Sequence, residues 1–575
     1  MTRWLRDWRN ALLALASLLP LLVMLAHNSA YVYNFPLNDQ WSSAWGDFPD
    51  HSAVDVAVRA ADGTLTAADL FQQHTSHRIF FSRALTALNT AVTGWDIRAE
   101  LYAGVALAVI SVLLLVDILR AQEAAAAGPA LLAFALLVFS LRQDNMWRAG
   151  FLNVWFFLFF FLALTLWLLY RLPVRWRALA LTAGAGICAT FALFPGFLVW
   201  PVLFVSTYVR GYRRPRYQLI WLVIFIVVIA LYYINYDLKL SPVRPQNQDL
   251  NHVGFVLAML GAPFVPFDTA GSAFELAALI GAAGLALLAV NAAWLLRRHR
   301  DWQAVGVWVS LALFGVGTAA ATALGRNWIF DRSAPLTDRY IVSANWLWLG
   351  LIALALVVAV RARRAPQRGA GVRLLLALNG VAALALAALY IPANARSQPQ
   401  SFYPATTGEI QAWSDCLLNY PTDRNDTCFD LITHRPERAA ANYARASALA
   451  DSRLTVFGMT PPLTFDTDSV ALLIVEAPSA AQARQARARL AAQAGQVVYA
   501  LPAGEAAGAD VVVVSDICAD LAARPVPPET VWYIRVGGAT LPACLSEGFA
   551  QVALYPAYDN PQQPFTLVIL RPERD

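Results

Sequence analysis

The sequence predicts a polytopic α-helical membrane protein that ends in a soluble mixed α/β domain. Hydrophobic residues make up 58% and charged residues 14% of the 575 residues, and the mean hydropathy is +0.50. This composition is typical of chains that cross a bilayer many times and not of soluble enzymes. Two further observations agree: apolar segments of spanning length recur through the first two thirds of the chain, and clusters of arginine alternate between them.

The apolar segments predict about eleven transmembrane helices. Two of them, 128–141 and 196–209, are shorter than a helix needs to cross the hydrocarbon core. The N-terminal helix, 10–28, lacks a convincing small-residue cleavage site, so we expect it to be retained rather than removed as a signal peptide. The predicted helices are 10–28, 99–119, 128–141, 151–170, 177–194, 196–209, 217–236, 273–296, 303–325, 342–360 and 373–391.

The arginines predict the orientation of these helices. They lie in alternate connections, as the positive-inside rule requires when the N-terminus is cytoplasmic. An odd number of helices then places the C-terminus outside. The net charge of +5 comes from short, scattered clusters, which does not favour a nucleic-acid partner. The predicted cytoplasmic arginines are Arg3, Arg6, Arg9, Arg120, Arg171, Arg175, Arg177, Arg210, Arg213, Arg214, Arg216, Arg297, Arg298, Arg300, Arg361, Arg363, Arg364, Arg368 and Arg373.

The chain changes character near residue 395, which divides it into a transmembrane domain, 1–394, and an outer domain, 395–575. Six runs of strand length begin at Val470, Gln496, Ala509, Thr530, Ala550 and Phe565. A helix is predicted over 479–493, and a helical connector over 406–449. These elements predict a mixed α/β domain of ordinary size.

Cysteine positions agree with an external C-terminal domain. Cys188 falls within a predicted membrane helix, whereas Cys416, Cys428, Cys518 and Cys544 follow the last helix, where an oxidising exterior permits two disulfides. Pairing of Cys416 with Cys428 and of Cys518 with Cys544 is the local choice, although spacing leaves the connectivity open.

The long outer loop, 29–84, holds the first candidate site residues. Thr66 and Asp69 have the spacing of a capping box that opens a short helix. On that helix His74, His77 and Arg78 would share one face. Asp39 precedes them in an Asn-Asp-Gln-Trp turn, and it either caps the turn or serves as a functional acid.

Three other outer segments carry charged or aromatic residues that could converge with this loop. The positive-inside rule disfavours cations on the outer face, and an anionic ligand such as a phosphate would explain these arginines. Ion pairing would also explain the arginines, and interfacial belts would explain the aromatic residues. The histidines could be structural, because a metal site needs a third ligand that spacing does not identify. The residues are Asp144, Trp147 and Arg148; Arg244 and His252; and Arg326, Asp331, Arg332, Asp338, Arg339 and Tyr340.

The first 390 residues or so resemble the polytopic glycosyltransferases of the C-type (GT-C) superfamily, in an uncharacterised bacterial branch. The matching motifs are short. They are His74-Thr75-Ser76-His77-Arg78, Asn145-Met146-Trp147-Arg148-Ala149-Gly150-Phe151, the Phe194-Pro195-Gly196 reversal continuing to Pro201, Gly325-Arg326 and Asp338-Arg339-Tyr340.

The resemblance implies transfer of a sugar from a polyprenyl-phosphate carrier to a glycan, lipid or protein acceptor, at the outer side of the bacterial plasma membrane. It implies that Asp39 is the catalytic base of an inverting displacement. Many members carry two acids where this chain has Asn38-Asp39, so no metal ligands are assigned and a divalent cation stays open. The residues expected to bind substrate are His74, His77, Arg78, Trp147, Arg148, Arg326, Arg339 and Tyr340.

Two other functions fit the same topology. A flippase or polymerase of lipid-linked glycans would need a polar path through the membrane. A non-catalytic anchor for the outer domain would have no cavity among its helices, and its outer segments would not meet.

Overall fold

The computed structural model describes the chain in two parts. It covers residues 8–41, 52–237, 251–326, 332–364 and 369–396, and then 404–572 with gaps at 405, 422–425, 434–438, 460–471, 477–496, 501–511, 515, 524–530, 537–541, 543, 546–548 and 558–564. The chain folds into two compact units. The first is Met1–Tyr33 with Asp39–Tyr403, and the second is Asn34–Asn38 with Pro404–Asp575.

The first unit is helical, as predicted. Its helices are α1 Trp8–Tyr31, α2 Ala53–Ala61, α3 Ala67–Leu70, α4 Phe80–Thr93, α5 Ile97–Gln122, α6 Ala127–Val138, α7 Asp144–Arg148, α8 Asn153–Arg171, α9 Trp176–Ala192, α10 Val199–Arg210, α11 Pro215–Tyr233, α12 His252–Gly261, α13 Phe274–His299, α14 Trp302–Arg326, α15 Ile341–Arg364 and α16 Ala370–Ala395. All eleven predicted membrane helices form, and α2, α3, α4, α7 and α12 are additional. A short hairpin, β1 Gln73–His74 and β2 His77–Arg78, lies between α3 and α4.

Nine helices of the described chain are long and apolar enough to span a membrane, which confirms a polytopic membrane protein. Each coincides with a predicted helix. The predicted segments 177–194 and 196–209 also form apolar helices, but these are shorter than a membrane span. The segment 128–141 belongs to a longer apolar stretch, Ala124–Arg148, because turns on either side of α6 extend it.

Ion pairs at one end of the bundle confirm that predicted cytoplasmic connections lie together. Asp117 of α5 binds Arg120 and, at 2.7 Å, Arg171 at the end of α8. Arg361 near the end of α15 binds Glu123 at 3.0 Å and Asp301, which precedes α14, at 2.8 Å. Residues more than 200 positions apart can pair only if their helices run in the predicted directions. The side that faces the cytoplasm stays a prediction.

A glycine sets the reversal between α9 and α10. The Phe194–Leu198 segment is a 3₁₀ turn, which confirms the predicted reversal. A Cβ atom at Gly196 would lie 1.9 Å from the carbonyl oxygen of Ala189, so any side chain would collide with α9. Close packing of backbone therefore accounts for this glycine without a ligand.

The second unit contains all six predicted strands in one sheet. The strands are β3 Leu472–Glu476, β4 Val497–Ala500, β5 Val512–Val514, β6 Val531–Val536, β7 Phe549–Ala557 and β8 Phe565–Pro572. Their order in the sheet is β5-β4-β3-β6-β8-β7. Strands β5, β4, β3 and β6 are parallel, whereas β8 is antiparallel to β6 and β7, so the sheet is mixed.

Helices precede and interrupt this sheet. They are α17 Thr407–Asn419, α18 Asp426–Thr433, α19 Ala439–Asp451, α20 Val456–Met459 and α21 Ile517–Ala522. The predicted connector corresponds to the first three of them. The predicted helix 479–493 lies outside the described residues.

One of the two predicted disulfides is confirmed. Cys518 and Cys544 are bonded. Cys416 is also in a disulfide, while the side chain of Cys428 lies outside the described ones, so that pairing stays a prediction. Among the described cysteines only Cys188 is free.

Candidate active site at one end of the helices

The capping box of the first outer loop forms, but it opens a shorter helix than expected. The side chain of Thr66 accepts a hydrogen bond from the backbone of Asp69, and the Asp69 carboxylate accepts one from the backbone of Thr66. Helix α3 then ends at Leu70. The histidine motif that follows is therefore not helical.

His74, His77 and Arg78 lie instead on a β-hairpin. Strand β1 pairs antiparallel with β2, so that His74 faces His77 and Gln73 faces Arg78. Opposite residues of an antiparallel pair share one face of the ribbon. The two histidines are therefore on one side and Arg78 is on the other, and the prediction of one helical face for all three is wrong.

Contacts with the end of α11 explain the hairpin. The side chain of Gln73 exchanges two hydrogen bonds with the backbone of Asp237, at 2.8 and 3.0 Å. The hydroxyl of Tyr236 donates to the carbonyl of Ser76 at 3.1 Å. These long-range contacts override the local helix preference.

Arg78 is an organising residue of this loop. Its backbone N–H donates to the hydroxyl of Tyr232 at 2.9 Å, and its Nε donates to the Tyr232 carbonyl at 2.6 Å. Its two Nη atoms donate to the carbonyls of Phe71 and Ile234. Burial lowers the pKa of the guanidinium. Its Nε and both Nη atoms donate to carbonyl oxygens. Arg78 is therefore poorly placed to bind a phosphate with the bidentate geometry expected from the sequence.

Arg83 is a second cation that holds this loop in place, and no sequence motif predicted it. Its Nη atoms donate to the carbonyls of Gln72 and Gln73, and its side chain is 2% exposed. The only available signal was an arginine five residues after Arg78 on a short helix. That spacing does not reveal which carbonyls it meets.

Asp144 joins the end of α1 to the segment that holds Trp147 and Arg148. His27 Nε2 lies 2.7 Å from Asp144 Oδ1, and Arg148 Nη2 lies 2.5 Å from Asp144 Oδ2. The amide of Asn28 donates to the carbonyl of Trp147 at 2.5 Å. Arg148 is therefore in an ion pair, which was the alternative to an anionic ligand as an explanation for its predicted place on the outer face.

The same segment contacts the start of α15. The backbone N–H of Asn145 donates to Asp338 Oδ2 at 3.0 Å. The ring of Tyr340 contacts that of Trp155, with centroids 6.5 Å apart. The buried side chain of Arg142 donates to the carbonyls of Val265, at 2.7 Å, and Leu336. The second and fourth outer segments therefore meet, as predicted.

The hairpin reaches this cluster through aromatic rings. The rings of His74 and Phe151 lie 5.1 Å apart, and Phe151 follows Arg148 by three residues. The ring of His77 lies 6.2 Å from that of Phe194 at the α9–α10 reversal. Trp147 is buried and stacks on Phe156 at 4.6 Å, so its role is in packing.

The remaining candidates lie on a turn, over an aromatic ring and in a surface ion pair. Asp39 is exposed in the 3₁₀ turn Asn38–Gln40. The guanidinium of Arg339 lies over the ring of Tyr340 at 5.2 Å. Arg332 pairs with Glu275 at 2.6 Å. The side chains of Arg326, Arg244 and Asp331 lie outside those the structure describes.

An apolar cavity of about 520 Å³ lies beside the hairpin. Gln72, Arg78 and Asn235 are polar, whereas most of the other lining side chains are apolar. Its size fits part of a lipid chain. The lining residues are Ala68, Phe71, Gln72, Arg78, Phe80, Phe81, Ile187, Cys188, Phe191, Leu231, Ile234 and Asn235.

The described residues give no support for a bound metal. Among them, no group of three or more histidine, cysteine or acidic side chains is arranged to hold an ion. His74 and His77 face each other across the hairpin, and the described chain brings no third ligand to them.

Fold and site together define a polytopic membrane protein with a polar cluster at one end of its helices and an apolar cavity beside that cluster. No family of known proteins and no curated protein matches the chain. Among solved structures, the chain is similar to the crystal structure of ArnT from Cupriavidus metallidurans in the apo state, at 13% identity over 97% of each chain. The TM-score is 0.35, so this similarity does not by itself assign an activity.

Proposed function

We propose that the protein is a membrane glycosyltransferase of the C-type superfamily, which transfers a sugar from a polyprenyl-phosphate donor to an acceptor at the outer face. The observation that carries this proposal is the apolar cavity next to the hairpin of the His74-x-x-His77-Arg78 motif. A cavity of this kind suits a prenyl chain, and the polar cluster nearby suits a phosphate and a sugar.

Contacts among the outer segments support an active site over a mere anchor. An anchor would have neither a cavity nor meeting outer segments, whereas the hairpin, α7 and the start of α15 are linked through Phe151 and Asp338. Buried polar groups in such a cluster are costly unless they are satisfied or used. Their presence at one end of the bundle favours a site.

In the proposed reaction, the acceptor hydroxyl attacks the anomeric carbon while Asp39 takes the hydroxyl proton. The bond from the anomeric carbon to the phosphate oxygen breaks, and its electron pair leaves with the phosphate. Arg339 contributes positive charge near the departing phosphate. Arg78 holds the hairpin in place beside the prenyl chain.

A transfer assay tests the reaction. Membranes containing the protein are given a labelled polyprenyl-phosphate sugar, and label in the acceptor fraction is measured. We expect Asp39→Asn to reduce transfer by about 100-fold or more, because a general base contributes about 10²- to 10⁴-fold. Asp62→Asn is the matched control, since Asp62 is an exposed acid of the same loop that binds Thr64. Unchanged transfer in Asp39→Asn would remove Asp39 from the role.

Cys188 gives an independent test of donor binding. It lines the cavity and is the free cysteine of the described chain. A lipophilic maleimide should label it, and polyprenyl phosphate should slow that labelling, whereas a short-chain alkyl phosphate should not. Movement of labelled lipid across the membrane without sugar transfer would instead favour a flippase.

A further inference from the structure

His27, Asp144 and Arg148 form a linear array at the outer end of α1. Asp144 lies between the two basic residues and gives one carboxylate oxygen to each, at 2.7 and 2.5 Å. The side chains of His27 and Asp144 are each 31% exposed, whereas that of Arg148 is 4% exposed. A ligand arriving from outside therefore meets the imidazole and the carboxylate, and not the guanidinium.

Arg148 is committed to its neighbours. It donates to Asp144 and, at 3.1 Å, to Asn145, and its guanidinium lies 5.7 Å from the ring centre of Tyr31. Its charge is balanced by Asp144. Positive charge reaches the surface of this array only when His27 is protonated.

The surroundings of His27 contain few other ionisable groups. Helix α1 packs against α6 and contacts α7, and α6 has no ionisable residue. The groups of the described chain that face the imidazole are Asp144, Arg148 behind it, and the ring of Tyr31 at 4.8 Å. The array therefore carries a net charge near +1 with His27 protonated and near zero with His27 neutral.

We propose that His27, as an imidazolium held by Asp144, is the acid that protonates the departing polyprenyl phosphate. This inference rests on the proposed glycosyl transfer. The bond between acceptor oxygen and anomeric carbon forms, and the acceptor proton passes to Asp39. As the bond from carbon to phosphate oxygen breaks, its electron pair stays on that oxygen, which accepts the His27 proton. Exchange with solvent resets both residues.

The chemistry of the leaving group suits an imidazolium. A phosphodiester with one negative charge becomes a phosphomonoester with two, and the second ionisation of such an ester has a pKa of about 6. Histidine is the side chain that most readily gains and loses a proton in the neutral range, which matches a leaving group of this acidity. At the edge of a low-dielectric region, one added positive charge offsets the charge that develops on the phosphate.

The direction of the proton transfer sets what the side chain at position 27 must supply. The step takes a proton from the imidazolium of His27, so a neutral side chain there cannot support it, whereas a protonated and positively charged side chain can.

Two variants of His27 distinguish a role as general acid from a purely structural role. His27→Gln keeps a neutral N–H donor for Asp144 and should lower transfer about 100-fold at every pH, in line with loss of a general acid. His27→Lys keeps a protonated, positively charged side chain, so it should restore much of the rate that His27→Gln loses. Thermal unfolding of both variants in detergent should match the parent chain.

The outcomes distinguish this inference from the proposed function. Transfer by the parent chain together with a normal rate in His27→Gln would overturn the role of His27 and leave glycosyl transfer standing. Absence of transfer by the parent chain, with no protection of Cys188 by polyprenyl phosphate, would overturn the proposed function itself. Equal loss in both variants at every pH would show that His27 only positions Asp144, and would also overturn the inference.

Discussion

At the scale of single residues, position decides what each cation can do. Arg78 belongs to the His74–Arg78 motif and was predicted to bind substrate, yet its guanidinium donates to the carbonyls of Phe71, Tyr232 and Ile234. Arg148 is paired with Asp144 and buried. His27, which the motif does not include, is the more accessible basic group of that array.

Substitution of Arg78 tests its structural role. Arg78→Lys cannot reach three separate carbonyls, so at least two carbonyl acceptors lose their donor. We expect the folded state to lose about 3–6 kcal/mol, since hydrogen bonds to charged groups are worth about 1.5–3 kcal/mol each. Thermal unfolding in detergent measures the loss.

The control for Arg78→Lys is a cation in an exposed pair. Arg332→Lys alters the surface pair with Glu275 and should change stability by less than about 0.5 kcal/mol. Equal effects of the two substitutions would mean that the carbonyl contacts of Arg78 contribute little.

At the scale of elements, α4 shows why a search for apolar segments does not predict every helix of the bundle. It buries Ser82, Arg83, Thr86, Asn89 and Thr90, and exposes Leu88 and Val92. A helix with its polar face inward is reasonable in a membrane, because lipid takes the apolar face. A search for long apolar runs cannot find such a helix.

The last membrane helix, α16, depends on a pair of amides. Only 6% of its spanning window is buried. Asn379 of α16 and Asn291 of α13 exchange two hydrogen bonds, at 3.0 and 2.9 Å. A helix that buries so little apolar surface relies on such polar contacts to stay in place.

A double-mutant cycle tests this pair. We expect a coupling energy of about 0.6–1.7 kcal/mol between Asn291→Ala and Asn379→Ala, the range found for hydrogen bonds between membrane helices. Unfolding in mixed micelles gives the four stabilities. Additive effects would show that the two amides do not stabilise α16 through each other. Ser206 and Ser310, which form a 2.6 Å hydrogen bond between α10 and α14, provide a comparison between well-packed helices.

At the scale of the whole molecule, the charge network at one end and the polar cluster at the other fix the direction of each helix relative to its neighbours. The ion pairs of Asp117, Glu123 and Asp301 belong to one end, and the contacts of Asp144 and Asp338 belong to the other. Arginine bias assigns the first end to the cytoplasm.

Cysteine labelling tests that assignment. In a Cys188→Ser background, Asp62→Cys places a thiol after α2 on the predicted outer side, and His299→Cys places one at the end of α13 on the predicted inner side; both positions are exposed. A membrane-impermeant maleimide should label Asp62→Cys in intact cells, and His299→Cys only after the membrane is permeabilised. The reverse pattern would show that the orientation is wrong.

Local patterns were enough to predict eleven apolar helices, the six strands, the capping box and the Cys518–Cys544 bridge. Each depends on residues near one another in the sequence: a long apolar run must span or be buried, and two close cysteines in one domain readily pair. The charge alternation also predicted which helix ends meet.

The tertiary structure decided what local patterns could not. The hairpin at His74–Arg78 exists because of α11, about 160 residues away, and the array of His27 with Asp144 joins residues 117 positions apart. Such contacts depend on how helices pack, and a single sequence carries no local signal for them. The sequence alone therefore determined the long apolar helices and the strands. Packing alone decided which charged side chains bind other groups of the protein and which are accessible to a ligand. Burial and hydrogen-bond partners are properties of the folded chain.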